Sequence, residues 1–124
     1  MDGPIYVFFR FRWTAAWYQL SPTEQDALQA KIGDLGPRFG STTFLIYKSS
    51  WSNERWFAFG VQEFPDVQSV QKYSAALEEL GWLRYIDSET MLGTVWPSDG
   101  QALRHLKAKL FQQQYDREAV RCPT

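Results

Sequence analysis

The sequence contains very few of the residues that form metal centres or disulfides. Its 124 residues include one cysteine, Cys122, and one histidine, His105. A single cysteine excludes an internal disulfide framework and a cysteine-ligated zinc site. A single histidine excludes a multi-histidine metal centre within one chain. We therefore expect no metal site.

The sequence also lacks long apolar runs and an excess of either charge. The longest uninterrupted apolar run, Ile5–Phe9, is far shorter than the roughly 20 residues that span a bilayer. The start, Met-Asp-Gly-Pro, places no basic residues before an apolar stretch, so we expect no signal peptide and a cytoplasmic location. The formal net charge of −1 disfavours a strongly basic nucleic-acid binder.

Aromatic residues, by contrast, are abundant. The chain is 44% hydrophobic, and its aromatics, 17% of all residues, comprise six Trp, six Tyr and nine Phe. The length suits one domain with one core. A core of this size needs only a few large rings. The surplus is expected to line a pocket, a subunit interface, or both.

Four segments have the alternation or the β-rich composition of strands. Ile5–Trp13 alternates over its whole length, with Arg10 and Arg12 on the face that carries Tyr6 and Phe8. The later strands are predicted over Thr42–Ser49, Glu54–Phe64 and Glu89–Trp96. The second and third are expected to form a hairpin.

Two helices are predicted between the strands. Ser21-Pro22-Thr23-Glu24 is a capping box with proline at the first helical position, and Gly36-Pro37 is expected to end that helix. Asp66 is the expected cap of the second helix, and Gly81 is its expected left-handed C-terminal residue.

The element order β-α-β-β-α-β predicts an α+β, ferredoxin-like fold. A further helix is expected after Ser98 and Asp99, so that residues 1–97 form the domain and residues 98–124 its C-terminal helix and tail. Helices cover one face of such a sheet only. The other face, rich in apolar groups, is expected to meet a partner or a ligand.

Two sequence segments add a resemblance to a known family. The segment 16–24 reads AWYQLSPTE after an aromatic strand, and the segment 92–97 reads LGTVWP. With the element order, they resemble the dimeric α+β barrel superfamily over residues 4–97, and more narrowly its uncharacterised darcynin-like branch. The resemblance implies a homodimer with paired sheets that enclose a cavity. The superfamily includes cofactor-free quinol monooxygenases, polyketide cyclases, muconolactone isomerases, haem enzymes and stress proteins.

A haem is not expected. Haem enzymes need an axial ligand, commonly histidine. His105 lies beside the leucine stripe of the predicted third helix and is interpreted as a solvent-flanking residue. We expect no cofactor.

The candidate catalytic residues are Arg10, Tyr47, Glu63 and Tyr6. An arginine on a cavity wall could bind a carboxylate, enolate or phenolate, although an ion pair with Glu63 or Glu89 is the alternative. The tyrosines are candidate proton donors, and Glu63 is the candidate base. Tyr73 is interpreted as core. The candidate substrate-binding residues are Phe8, Arg12, Trp56, Ala58, Gly60, Trp82 and Tyr85.

The function expected from these features is a cofactor-independent small-molecule enzyme. Cyclisation, isomerisation and oxygen insertion all suit an aromatic-lined cavity, and the expected ligand is small, aromatic or polyketide-like, with an anionic group among the options. The alternative is a non-catalytic ligand-binding or stress protein whose rings serve only dimerisation.

RNA binding is a less favoured alternative. Ile5-Tyr6-Val7 and the segment 55–62 resemble the two ribonucleoprotein motifs of the RNA-recognition fold. That hypothesis requires Tyr6, Phe57 and Phe59 to share one exposed face for base stacking. The net charge of −1 argues against it.

Overall fold

One antiparallel sheet organises the chain. The computed structural model describes residues 2–96. For Asp2 and Thr43 it describes the backbone alone. The sheet has four strands in the spatial order β2-β3-β1-β4. The strands are β1 (Asp2–Trp13), β2 (Thr43–Lys48), β3 (Ala58–Asp66) and β4 (Ile86–Gly93).

Three α-helices connect these strands in the described part of the chain. A short 3-10 turn, Trp82–Arg84, precedes β4. The described part of the chain contains no helix that could span a lipid bilayer. The helices are α1 (Ala15–Tyr18), α2 (Pro22–Arg38) and α3 (Val67–Glu79).

The element order and the strand order confirm the predicted ferredoxin-like fold. The chain divides into a compact unit, Met1–Gly93, which carries this fold, and a second unit, Thr94–Thr124. The predicted C-terminal helix, with His105 and Cys122, lies outside the described residues. Its place in the same domain stays a prediction.

The start of α2 is the predicted capping box. The Ser21 hydroxyl accepts the Glu24 N–H at 3.1 Å, and the Glu24 carboxylate accepts the Ser21 N–H at 3.0 Å. These hydrogen bonds lower the pKa of Glu24. The predicted end of the helix at Gly36-Pro37 is wrong, because the Phe39 N–H still donates to Leu35 and α2 continues to Arg38.

The two ends of α3 follow the prediction. The Asp66 carboxylate accepts the Ser69 N–H at 2.7 Å, which caps the helix and lowers the pKa of Asp66. After Leu80, Gly81 adopts φ 71°, the left-handed conformation that favours glycine.

Two strands begin at other residues than predicted. The Asn53 side chain accepts the N–H groups of Arg55 and Trp56 at 2.9 and 2.8 Å, so this segment is a turn and β3 begins only at Ala58. The fourth strand begins earlier than expected, at Ile86, where it pairs with Trp13.

The core lies on the helix-covered side of the sheet. The odd-numbered residues of β1 point to it, and Phe64 of β3 is fully buried there. One cluster packs around Phe64, and a second packs around Trp17 and Trp82. The even-numbered residues of β1 point to the opposite surface, hereafter the open face.

Candidate active site

A cavity of about 770 Å³ lies between the helix-covered side of the sheet and helices α2 and α3. Its volume falls in the range of pockets that enclose small organic ligands. The apolar side chains that line it include Val7, Phe9, Phe11, Trp13, Phe44, Ile46, Phe57 and Trp82.

Gly60 allows the aromatic wall of the cavity to form. It lies opposite Phe9 in the β1–β3 register. A Cβ at Gly60 would lie 2.6 Å from the Phe9 ring and would also meet the Leu45 carbonyl oxygen. The Phe9 ring contacts Phe44 with centroids 5.8 Å apart. The absence of a side chain at Gly60 therefore lets Phe9 lie across the sheet.

Trp13 is held in place by two other indole rings. It stacks on Trp17 with centroids 3.9 Å apart and planes 9° apart, and it meets the Trp82 ring edge-on at 5.8 Å. Phe57 contacts Trp13 at 5.4 Å. Because Trp17 and Trp82 are buried, this part of the wall is fixed by packing.

Two buried polar side chains also line the cavity. Gln62 of β3 is 3% exposed and Tyr73 of α3 is 9% exposed. The Gln62 amide nitrogen donates to the Tyr73 oxygen at 3.5 Å, a long hydrogen bond. Burial raises the pKa of Tyr73, while the bond from Gln62 opposes that shift. Tyr73 therefore keeps its proton at neutral pH and is able to donate a hydrogen bond.

The cavity is poor in charge. Among its described lining residues none is Lys, Arg or His, and Glu78 is the one acidic side chain. Glu78 lies on α3 and is exposed, so it belongs to the rim. The described residues contain no group of three or more His, Cys, Asp or Glu that could hold a metal ion.

The sequence predicted one member of this polar pair correctly and missed the other. Tyr73 lies in the core, as expected, whereas Gln62 was not among the candidates. The available signal was that Gln62 lies between Gly60 and Phe64 on the inward face of β3, a polar residue among buried neighbours.

Four of the predicted substrate-binding residues lie on the helix-covered side. Trp82 lines the cavity. Ala58 and Gly60 are buried in the same sheet face without lining it, and Tyr85 packs edge-on against Trp17 at 6.2 Å.

Most of the other predicted site residues lie on the open face. Strand alternation places Tyr6, Phe8, Arg10 and Arg12 there, and the β1–β3 and β2–β3 registers add Glu63 and Tyr47. The expectation that these residues share one cavity with Trp82 is wrong for a single chain, because the sheet separates them. Their predicted catalytic and binding roles stay predictions.

The two arginines of the open face are held by ion pairs with β4. Arg10 Nη2 lies 2.9 Å from Glu89 Oε2, and Arg12 Nε lies 3.2 Å from Asp87 Oδ2. The Arg10 guanidinium also lies over the Trp56 ring, 4.5 Å from its centroid. The sequence-based alternative, an ion pair of Arg10 with Glu89, is therefore confirmed.

Two predicted catalytic residues are in direct contact on the open face. Tyr6 is the cross-strand neighbour of Glu63. Its hydrogen bond to the Glu63 carboxylate is the main cause of a raised Tyr6 pKa, with desolvation as the next cause. Thr42 also donates to Glu63, at 2.6 Å. Tyr47 is separate from this pair and packs against Phe59 at 5.5 Å.

The aromatic platform required for RNA binding does not form. Phe59 is on the open face with Tyr6, but Phe57 packs against Phe11 and Trp13 on the helix-covered side, at 5.9 and 5.4 Å. The turn before Ala58 breaks the alternation on which the motif depends.

No family model and no curated protein matches the chain. Solved structures do. A mutant chlorite dismutase from Candidatus Nitrospira defluvii matches with a TM-score of 0.61 and 15% sequence identity. The match covers 75% of this chain and 40% of the chlorite dismutase chain. This chain thus spans about two-fifths of the length of that protein.

Smaller proteins match over most of their length. SnoaB, a cofactor-independent oxygenase from Streptomyces nogalater, has a TM-score of 0.54 and 13% identity, over 74% of this chain and 92% of its own. A hypothetical Arabidopsis thaliana protein has a TM-score of 0.54 and 16% identity, over 74% of this chain and 86% of its own length. The likeness is one of fold. At these identities it extends no further, and the darcynin-like resemblance stays a prediction.

Proposed function

We propose that this chain is a cofactor-independent small-molecule enzyme of the cyclase, isomerase or monooxygenase type. Its substrate, aromatic or polyketide-like, binds between the sheet and the helices. The observation that carries the proposal is the ring-lined cavity of about 770 Å³ with the buried pair Gln62 and Tyr73. The fold shared with SnoaB, a cofactor-independent oxygenase, supports the reaction class.

Tyr73 is the proposed hydrogen-bond donor to the substrate. Cyclisation, isomerisation and oxygenation of a phenol or ketone all pass through a species with negative charge on oxygen. A donor aimed at that oxygen stabilises the charge as it develops. The raised pKa keeps the Tyr73 proton in place, and the Gln62 amide orients the phenol.

Glu78 is the proposed proton acceptor. It is the acidic residue among the described lining residues, and a carboxylate at the rim can take a proton from the substrate and pass it to water. Glu79, its exposed neighbour on α3, does not line the cavity and serves as the matched control.

Turnover of a tricyclic anthrone tests the proposal. Such a ketone fits an aromatic cavity, and its oxidation is followed by oxygen uptake and product mass. We expect protein-dependent turnover, and a loss of about 10²-fold in kcat/KM in Tyr73→Phe. Tyr18→Phe removes the phenolic oxygen from an exposed ring and should keep wild-type turnover. Glu78→Gln should lower turnover, whereas its control Glu79→Gln should keep it.

The outcomes separate the alternatives. Equal activity in Tyr73→Phe and Tyr18→Phe would remove Tyr73 from the mechanism. Binding of the anthrone without any turnover would contradict an enzyme and support the non-catalytic ligand-binding alternative. Loss of turnover in Arg10→Ala or Tyr47→Phe, with Tyr73→Phe unchanged, would move the site to the open face.

As part of the same proposal, the open face of one chain packs against the open face of a second copy. Exposed apolar groups on this face support it, since large exposed apolar patches mark interaction sites. A place in the darcynin-like branch is likewise proposed on the sequence resemblance, and a cytoplasmic location is proposed as the default. The exposed groups are Leu45, Tyr47, Phe59 and Met91.

A further inference from the structure

We infer that the cavity selects a flat, uncharged ligand bearing a carbonyl or hydroxyl oxygen, and that it discriminates against the carboxylate of the same shape. This inference rests on the proposed function in one respect, namely that the cavity between the sheet and the helices is the ligand site. It replaces the sequence-based option of an anionic ligand held by an arginine.

The first argument is the distribution of charge. The described residues that line the cavity include no cation. Arg10 and Arg12 lie on the other side of the sheet, each in an ion pair. Lys48 is exposed, and its ammonium nitrogen lies 5.8 Å from the centroid of the Phe57 ring without lining the cavity.

The second argument is the cost of burying a carboxylate at the inner end of the cavity, beside Gln62 and Tyr73, which are 3% and 9% exposed. An ionised group that leaves water without a cationic partner loses solvation that nothing replaces. The carboxylate of Glu78 at the rim adds repulsion of like sign. A neutral carbonyl or hydroxyl group avoids both penalties.

The third argument is the hydrogen-bond donor that the polar pair offers. Tyr73 accepts a long hydrogen bond from Gln62, and burial raises its pKa, so the phenol keeps a proton that it can donate. A neutral ligand oxygen beside the pair would accept it. Phe9, Phe11 and Trp13 line the same cavity and offer flat surfaces to a planar ring system.

Two isosteric probes test the inference at pH 7. 2-Naphthamide and 2-naphthoate share a ring system and nearly the same shape, and they differ in charge. Titration calorimetry should give a dissociation constant at least tenfold lower for the amide. Binding of the amide should weaken at least fivefold in Tyr73→Phe and stay unchanged in Tyr18→Phe.

A gain-of-charge variant provides a second, independent readout. Ser88 of β4 is exposed and lines the cavity, whereas Ser50 is exposed and does not. Ser88→Lys supplies the missing cation, so it should bind 2-naphthoate at least fivefold more tightly with little change for the amide. Ser50→Lys should change neither affinity.

The outcomes distinguish failure of the inference from failure of the proposed function. Naphthoate binding equal to or tighter than naphthamide binding overturns the charge selectivity and leaves the cavity as the ligand site. If that binding disappears in Lys48→Gln, Lys48 is the counter-ion. If neither probe binds to the wild type or to Ser88→Lys, the cavity is not a site for ring ligands, and the proposed function falls with the inference.

Discussion

Gly60 is the residue at which a single hydrogen atom in place of a side chain decides the shape of the site. The close approach of the Phe9 ring and the Leu45 carbonyl leaves no room for a Cβ. Gly60 was named from the sequence as a candidate substrate-binding residue. Its observed effect is indirect, because Gly60 lies beneath Phe9 and Phe9 lines the cavity.

Gly60→Ala should therefore be destabilising. We expect a loss of about 1–3 kcal/mol in the free energy of unfolding, since the added methyl group must displace either a ring or the backbone of β2. Urea unfolding at pH 7 measures it. Gly93→Ala, where nothing lies within 4 Å, is the control and should stay within about 0.5 kcal/mol of wild type. Equal effects of the two substitutions would contradict the packing argument.

At the scale of elements, the helices are positioned by their first turns. Ser21 with Glu24 and Asp66 with Ser69 satisfy N–H groups that a helix start leaves without partners. Asp66 also joins β3 directly to α3, so its cap sets the direction in which Tyr73 enters the core.

The Asp66 cap predicts a pH dependence. The hydrogen bond to Ser69 lowers the Asp66 pKa below its usual 3.8 in the folded chain. A lowered pKa contributes stability above the unfolded value, and that contribution is lost as the pH falls through the folded pKa. We expect wild type to lose stability relative to Asp66→Asn below about pH 4, because asparagine caps without titrating.

Urea unfolding at pH 7, 5 and 3 measures the difference in stability between wild type and Asp66→Asn. This difference should not change between pH 7 and pH 5. Asp66→Ala removes the cap at every pH, so it should be less stable than wild type at pH 7, with a smaller gap at pH 3. A gap between wild type and Asp66→Asn that is the same at all three pH values would contradict the assigned cap.

At the scale of the whole molecule, the two faces of the sheet have different environments. The helix-covered face carries the cavity. Across the open face, the strand registers align Leu45, Val61, Phe8 and Met91 in one apolar row from edge to edge. A row of this kind suits a second copy of the same face.

Self-association through this row predicts a charge-sensitive dimer. Leu45 is 48% exposed, and Leu45→Glu should raise the dissociation constant at least tenfold, because it buries a carboxylate without a partner. Sedimentation equilibrium measures it. Tyr18, 69% exposed and outside the open face, gives the control Tyr18→Glu, which should leave the dimer intact. A wild-type monomer at all concentrations would rule out the proposed pairing.

The local features of this protein could be read from its sequence. The capping box at Ser21, the cap at Asp66 and the left-handed Gly81 depend on neighbouring residues, so their spacing is sufficient to predict them. The same holds for the order of strands and helices, which determines the ferredoxin-like fold. Some boundaries were predicted wrongly. At Pro37 a backbone hydrogen bond extends the helix beyond its expected end, and before Ala58 a turn replaces the expected start of the strand.

The location of the cavity was decided by tertiary structure alone. Both faces of β1 carry large apolar groups, so alternation could not show which face the helices cover. Only the packed chain brings Gln62 of β3 to Tyr73 of α3, and only the β1–β4 register decides that Arg10 pairs with Glu89 and not with Glu63, the other partner that the sequence allowed. Such pairs join residues from separate elements, and their distance along the chain leaves no periodic trace in the sequence.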